Sequence, residues 1–179
     1  MYKASPQSTH SKGKGLIPDY LFKDVTDISS DYLEKLGIKL LMMDLDNTIA
    51  AYDEHTLSAD IIDWISTIKN SGIDLYIISN STREKRVSSL SGEIDVDFIM
   101  RANKPSNKSL LKAMKLTGHS AETSALVGDQ IFTDGIAANR AGITSMLVCP
   151  RRFTNPFLAI RYFIELPFRA FCNNKNGGY

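Results

Sequence analysis

A three-layer α/β sandwich, with a five-stranded mostly parallel sheet between two layers of helices, is the fold this sequence predicts. Three observations carry that expectation. Short apolar runs alternate along the chain with segments of helical period. The connections between them are short, as in sheets whose strands are joined by crossover helices. The polar residues with chemical character stand directly after the apolar runs, which is where the carboxyl ends of parallel strands would present them.

The elements follow in order. "IKLLMM" (38–43) reads as a buried strand and leads into a turn-rich stretch to Thr56. "SADIIDWISTIKNSG" (58–72) places Ile61, Ile62, Ile65 and Ile68 at helical spacing, with Ser58 as cap and Gly72 as stop. "IDLYIIS" (73–79) is a second strand and "TREKRVSSLSG" (82–92) a short helix. "VDFIM" (96–100) is a third strand. "PSNKSLLKAMKLTG" (105–118) reads as a helix with Pro105 in its first turn and Gly118 at its end. "TSALVGD" (123–129) is a fourth strand, "TDGIAANRAG" (133–142) a helix, and "ITSMLVCP" (143–150) a fifth strand closed by Pro150. The pattern is Rossmann-like. Trp64 belongs with the isoleucines around it in the core.

A chain of 179 residues, 43% hydrophobic and 23% charged, has the size and composition of one globular domain. Its net charge of +1 hides an uneven distribution. Residues 1–15 carry Lys3, Lys12 and Lys14 without an acid, and are Ser/Lys/Gly-rich, so a disordered basic segment is expected there. Residues 151–179 carry four arginines and Lys175 against Glu165, which leaves the 16–150 interior acidic. Such a centre suits a cation, and the basic ends suit an anionic surface or plain solvation. Cys149 and Cys172 make neither a metal pattern nor a disulfide framework, so a reducing, cytoplasmic setting is expected. No apolar run is long enough to span a membrane. His10, His55 and His119 lack metal-ligand spacing.

Asp44 and Asp46, with Asn47 and Thr48, follow the first strand. Ser79 and Asn80 follow the second, Lys104 the third, and Asp129 and then Asp134 the fourth. Carboxylates gathered in one cleft repel, and a hard divalent cation with substrate phosphate resolves the conflict, which suits Mg²⁺. An ionised carboxylate so placed can attack phosphorus, and a second carboxyl two residues on can pass the proton. Ser79, Lys104 and backbone N–H groups can hold phosphoryl oxygens. Ser79, Thr48 and Asp134 are also ordinary helix-cap types. Asn80 and Arg86 read either as substrate contacts or as structural groups.

The stretches "DLDNT", "ISN", "KP" and "GDQIFTD", in that order, resemble the four motifs of the haloacid dehalogenase (HAD) phosphatase superfamily. The resemblance implies Asp44 as nucleophile and Asp46 as general acid/base. It implies Mg²⁺ held by Asp44, the Asp46 carbonyl and Asp129, with Asp134 in support. Ser79, Asn80, Thr48 and Lys104 take phosphate-binding roles, Lys104 also balancing charge and Thr48 orienting the catalytic loop. "GIKLLMMDLDNTI", "SNSTREKRV", "RANKP" and "GDQIFTDGIAANRAGITSMLVCP" are similar to the YqeG-type subclass III phosphatases, a group related to phosphatidylglycerophosphate phosphatases. That likeness covers residues 16–150 and implies a phosphatase acting on a membrane lipid. A phosphoprotein, nucleotide or sugar phosphate is the alternative substrate. A receiver-like signalling module fits less well, because the third strand ends at Arg101 with no acid. Nothing points to a nucleic-acid partner.

No gap between the motifs is long enough for a cap domain, so an open cleft is expected, with a lid from a second subunit in a homo-oligomer as an alternative. "NPFLAIRYFIELPFRAFC" (155–172) is apolar apart from Arg161, Glu165 and Arg169, which share one helical stripe, and Pro167 is expected to break or kink it. Two expectations stand side by side for this basic, aromatic tail: packing on the domain or a second subunit, or peripheral contact with a membrane. In the second, removal of 155–179 spares hydrolysis of a soluble ester.

Overall fold

The computed structural model describes residues 15–152, 156–170 and 172. The segment expected to be disordered lies almost wholly outside them. In chain order the elements are β1 (Tyr20–Leu21), α1 (Ser30–Lys35), β2 (Leu40–Met43), α2 (Ala59–Asn70), β3 (Asp74–Ile78) and α3 (Glu84–Ile94). Then come β4 (Phe98–Ile99), α4 (Lys108–Thr117), β5 (Ser124–Gly128), α5 (Ile136–Ala141), β6 (Thr144–Leu147) and α6 (Pro156–Ala170). The strands form one sheet in the order β1-β6-β5-β2-β3-β4, and every pairing is parallel.

The sheet therefore has six strands where the apolar runs predicted five. The additional one, β1, is a two-residue edge strand, Tyr20 pairing with Met146 and Leu21 with Leu147. It is too short to show a period of two, and it is held mainly by flanking bonds from Asp19 N to the Ser145 carbonyl (3.0 Å) and from Phe22 N to the Leu147 carbonyl (2.8 Å).

β2 is central, and its four residues are fully buried. Leu41 and Met43 face one side, among Ile61, Trp64, Ile65 and Ile68 of α2 and Val87 and Leu90 of α3. Leu40 and Met42 face the other, among Leu110, Ala113 and Met114 of α4 and Ala137 and Ala138 of α5. This alternation builds two cores on one strand, the burial that an unbroken apolar run requires. On α2, Ile62 is exposed and Trp64 takes its expected place, its ring N–H donating to the Ile28 carbonyl at 2.7 Å.

Two local expectations need correction. Pro105 precedes α4 rather than opening it, because the helix starts at Lys108 and Pro105 belongs to the loop that carries Lys104. Pro167 lies inside α6 and does not break it, the helix continuing to Ala170, so of the two expected effects a break is the one set aside.

The parallel register sets the site. Met43 is level with Ile77 on one neighbour and with Val127 on the other. Asp44, Ser79 and Asp129 therefore leave the sheet at the same edge. Among the described residues, no helix is long and apolar enough to cross a membrane.

Candidate active site

Asp44 continues the line of β2, its N–H donating to the Val127 carbonyl at 2.9 Å. The chain turns beyond it because Asn47 adopts a left-handed conformation (φ 63°), which asparagine tolerates better than most residues. The turn buries Thr48, whose hydroxyl donates to Asp44 Oδ2 at 3.4 Å. Thr48 is fully buried and does not line the cleft, so its place is behind the Asp44 carboxylate.

Lys104 is buried, and its ammonium lies 2.5 Å from Asp44 Oδ1, 2.6 Å from Asp134 Oδ1 and 2.7 Å from the Ile78 carbonyl. Its loop is fixed by Asn80. The Asn80 amide donates to the Lys104 carbonyl (3.1 Å), and the Lys104 N–H donates to Asn80 Oδ1 (2.8 Å). Ser79 is fully buried, its hydroxyl accepting from Ser81 N–H at 3.1 Å.

Asp129 follows β5 directly. Asp134 returns to the same spot through a π-helical turn, Ile131–Gly135. Gly128 makes the return possible: a Cβ there would sit 2.3 Å from Asp134 Cγ. Asp44, Asp129 and Asp134 each bring a carboxylate oxygen within 4.8 Å of the others.

Burial pushes Asp44 up to about 7 against the pull of Lys104, with Asp134 and Asp46 adding to the rise. Burial also drives Asp129 well above the usual carboxylate range, helped by Asp44 and Asp134. Burial opposes the charge on Lys104, but Asp134 and Asp44 outweigh it and raise the ammonium above its ordinary value. Three carboxylates against one ammonium leave two negative charges, the charge of one divalent cation. Asp129 Oδ1 is buried and accepts no hydrogen bond. An all-oxygen donor set with an unpartnered carboxylate oxygen fits a hard divalent ion.

Asp46 stands apart from this trio. Arg86 reaches its Oδ1 at 2.7 Å and Arg83 at 3.3 Å. Arg86 is buried and also donates to the Ala51 and Glu54 carbonyls, both at 2.7 Å, which ties the Asp46 loop to α3. Arg83 lies over the Tyr52 ring, 3.9 Å from its centroid. The sequence reading left Arg86 open and passed over Arg83. Their spacing of three on a helix directly after the second motif was the available signal.

The cleft in front of these groups holds about 590 Å³. Asp44, Asp46, Asn80, Ser81, Thr82, Arg83 and Lys104 line one side, and Gln130, Phe132, Thr133 and Arg161 another. Ser81 and Thr82 were not singled out in the sequence, because only Ser79 ends the apolar run. Arg161 belongs to α6, so the tail forms part of the wall. The intervals between motifs hold turns and α2, then α3 and β4, and no inserted domain covers the cleft.

A parallel sheet of this order, with carboxylates after β2 and β5 and a lysine between them, defines a phosphatase of the HAD type. Structures of low sequence identity share the fold. A putative 3-deoxy-D-manno-octulosonate 8-phosphate phosphatase from Vibrio cholerae aligns with TM-score 0.54 at 16% identity, over 72% of this chain and 75% of that one. A hypothetical protein from Xanthomonas campestris aligns with TM-score 0.54 at 15% identity, over 78% and 79%. The family model described as mitochondrial PGP phosphatase matches residues 5–151, and the chain belongs to that family. It is 31% identical over 145 residues to the probable phosphatase YqeG of Bacillus subtilis, covering 81% of this chain and 84% of that protein. It is 26% identical over 152 residues to phosphatidylglycerophosphate phosphatase 1, chloroplastic/mitochondrial, of Arabidopsis thaliana. That match takes in 80% of this chain and 44% of the longer relative.

Proposed function

We propose that the chain is a Mg²⁺-dependent phosphomonoesterase that converts phosphatidylglycerophosphate to phosphatidylglycerol through an aspartyl-phosphate on Asp44. The observation that carries the reading is the meeting of Asp44, Asp129, Asp134 and Lys104 at one edge of the sheet, in a chain of this family. Asp44, Asp129 and the Asp46 carbonyl would hold the cation, with Asp134 beside it. When bound there, the ion would supply charge neutralisation to the carboxylate cluster and to the phosphoryl oxygens.

The protein's own groups do the rest. An Asp44 oxygen bonds to phosphorus in line with the ester oxygen, and that P–O bond breaks. Asp46 gives its proton to the departing oxygen, then takes one from the water that attacks the phosphoenzyme. Inorganic phosphate leaves and the Asp44 carboxylate is restored. Arg86 and Arg83 aim Asp46, Thr48 and Lys104 hold Asp44, and Lys104 offsets the phosphoryl charge. The backbone N–H groups of Asn80 and Thr82 face the same oxygens in this reading, since those of Ser79 and Ser81 already donate to the Ile99 carbonyl and the Ser79 hydroxyl, with Asn80 also holding the lysine loop.

A bilayer-borne substrate is supported by two features. Among the described residues no inserted domain covers the cleft, so a phosphate can enter while the rest of its molecule stays outside. The outer face of α6, beside the cleft, exposes Ile160, Phe163, Ile164 and Leu166. Apolar positions spaced in this way on one helix face can lie in a membrane interface. The two cysteines are free, which suits a reducing compartment, and peripheral contact with its membrane face completes the reading.

A Mg²⁺ assay comparing phosphatidylglycerophosphate in mixed micelles with soluble phosphate esters and a phosphopeptide tests the substrate. The lipid is expected to have the highest kcat/KM. An equal or higher value for a soluble ester or the phosphopeptide overturns the lipid assignment. Phe163→Ser is expected to weaken flotation with anionic liposomes. Unchanged flotation removes the membrane role of α6, and a change in oligomeric state instead gives that face to a second copy.

A further inference from the structure

The three charged residues of α6 point inward, against the loop that carries the acidic cluster. Each successive turn of the helix engages that loop. Arg161 donates to Gln130 Oε1. Glu165, only 1% exposed, accepts from the Phe132 N–H at 3.3 Å. Arg169, 5% exposed, donates to the Asp129 carbonyl and to the Val148 carbonyl, the latter at 3.0 Å. Its guanidinium lies 3.5 Å from Glu165 Oε2 and sits against the Tyr162 ring, 4.7 Å from the centroid. The Phe168 ring meets Phe132 edge to face at 6.0 Å.

Burying an ion pair is an expensive way to attach a helix, and apolar residues of the same bulk attach one at least as well. What the pair does provide is direction. A planar guanidinium with two carbonyl acceptors fixes the ends of β5 and β6 relative to each other, and Glu165 fixes the first residues of the π-helical turn. The residue whose carbonyl Arg169 holds is Asp129, whose own carboxylate oxygen Oδ1 lacks a hydrogen bond.

We propose that Arg169, with Glu165, is a positioning residue for the cation site: α6 holds Asp129 from behind, through its backbone, so that the carboxylate is already aimed when the ion arrives. The inference rests on the reading that Asp129 binds the cation. It makes the tail a structural part of the catalytic centre. On this proposal, removing 155–179 also lowers hydrolysis of a soluble ester, in contrast to the expectation from membrane contact alone, because that deletion removes the hold on Asp129.

The test is Mn²⁺ binding to the full chain without substrate, followed by calorimetry, alongside metal-free thermal melts and circular dichroism. Arg169→Lys keeps the charge and loses the fork. The double variant Arg169→Met, Glu165→Gln removes the pair without leaving a lone buried charge. Groups that orient ligands from behind typically contribute about 10- to 100-fold in metal affinity, so both variants are expected to bind Mn²⁺ at least about tenfold more weakly. Phe163→Ser, on the exposed face, is expected to bind like wild type. Affinity within about twofold of wild type in Arg169→Lys, even with a lower metal-free Tm, gives the residue a purely structural role and overturns the proposal. Equal weakening in Phe163→Ser also overturns it. If the double variant loses its folded spectrum, Glu165→Gln is measured beside Arg169→Lys by the same thresholds. A wild-type chain that binds no Mn²⁺ refutes the metal reading itself, a result separate from any difference between variants.

Discussion

The buried carboxylates make the metal-free protein's stability depend on pH in an unusual direction. Asp44 lies at about 7 in the fold, raised by burial, against 3.8 for the ordinary carboxyl. The folded protein therefore binds more protons than the unfolded chain between those values. The stabilisation is complete below 3.8 and is lost as pH rises through 7. At up to about 1.36 kcal/mol per pH unit, with the slope halving as the carboxyl reaches its midpoint, the part between pH 5 and pH 7 is about 2 kcal/mol from Asp44 alone. Asp129, shifted upward for the same reason, adds in the same direction. For a chain of this length about 2 kcal/mol corresponds to about 4–8 °C in Tm. The assay is a set of calorimetric melts in chelator from pH 5 to pH 7.5, repeated with saturating Mg²⁺. Tm should fall with rising pH in chelator. Mg²⁺ should restore it most at the high end, because the ion binds the ionised carboxylates. Asp44→Asn should make the chelator series shallower, leaving the part that Asp129 contributes through its own burial. A metal-free Tm that is constant or rises from pH 5 to pH 7 would refute the electrostatic account of the cluster.

Four further outcomes follow from the same geometry. Asp44→Asn should reduce turnover of any phosphate ester by about 10⁴-fold or more with the circular dichroism spectrum unchanged, and activity near wild type removes it as nucleophile. Lys104→Met strands Asp44 and Asp134 without their buried cation, and should lower metal-free stability by about 3–5 kcal/mol in denaturant unfolding. Arg86→Met leaves Asp46 to the longer contact with Arg83 alone and should lower kcat on a soluble ester by about 10²-fold with little change in KM; an unchanged kcat assigns Arg86 to the fold alone. Gly128→Ala drives a methyl into Asp134 and should lower stability by about 1–3 kcal/mol while weakening Mn²⁺ binding, both read in titrations of the purified variant.

What could be read in the sequence, and what could not, divides by the range of the forces involved. Strands β2, β3, β5 and β6 were visible because strands buried on both faces read as short, mostly apolar runs, unbroken in Leu40–Met43 and interrupted only by residues such as Asp74, Ser124, Thr144 and Ser145 in the others. Parallel order then carried Asp44, Ser79, Lys104, Asp129 and Asp134 to one edge with no further information. β1 was hidden because two half-buried residues have no pattern, and its place depends on pairing with a strand more than a hundred residues later. The grip of Arg83 and Arg86 on Asp46 depends on how α3 lies over the turn after β2, which no local spacing reports. The tail is the instructive case. Its stripe of Arg161, Glu165 and Arg169 was legible, but not the direction it faces, because a polar stripe ordinarily turns to water. Here it turns inward, since the loop after β5 offers the Asp129 carbonyl and the Phe132 N–H, and the end of β6 the Val148 carbonyl, all of which need partners. The apolar face is left outside.

The claim on which the account depends is that phosphorus is bonded for a time to Asp44. Acid-quenching the Asp46→Asn variant during turnover of a soluble ester with Mg²⁺, then mapping the peptides by mass spectrometry, tests it most directly. The account predicts one added phosphoryl group on the peptide containing Asp44, lost on mild base treatment. A variant that still releases phosphate while that peptide stays unmodified, or that carries the group on another residue, contradicts it.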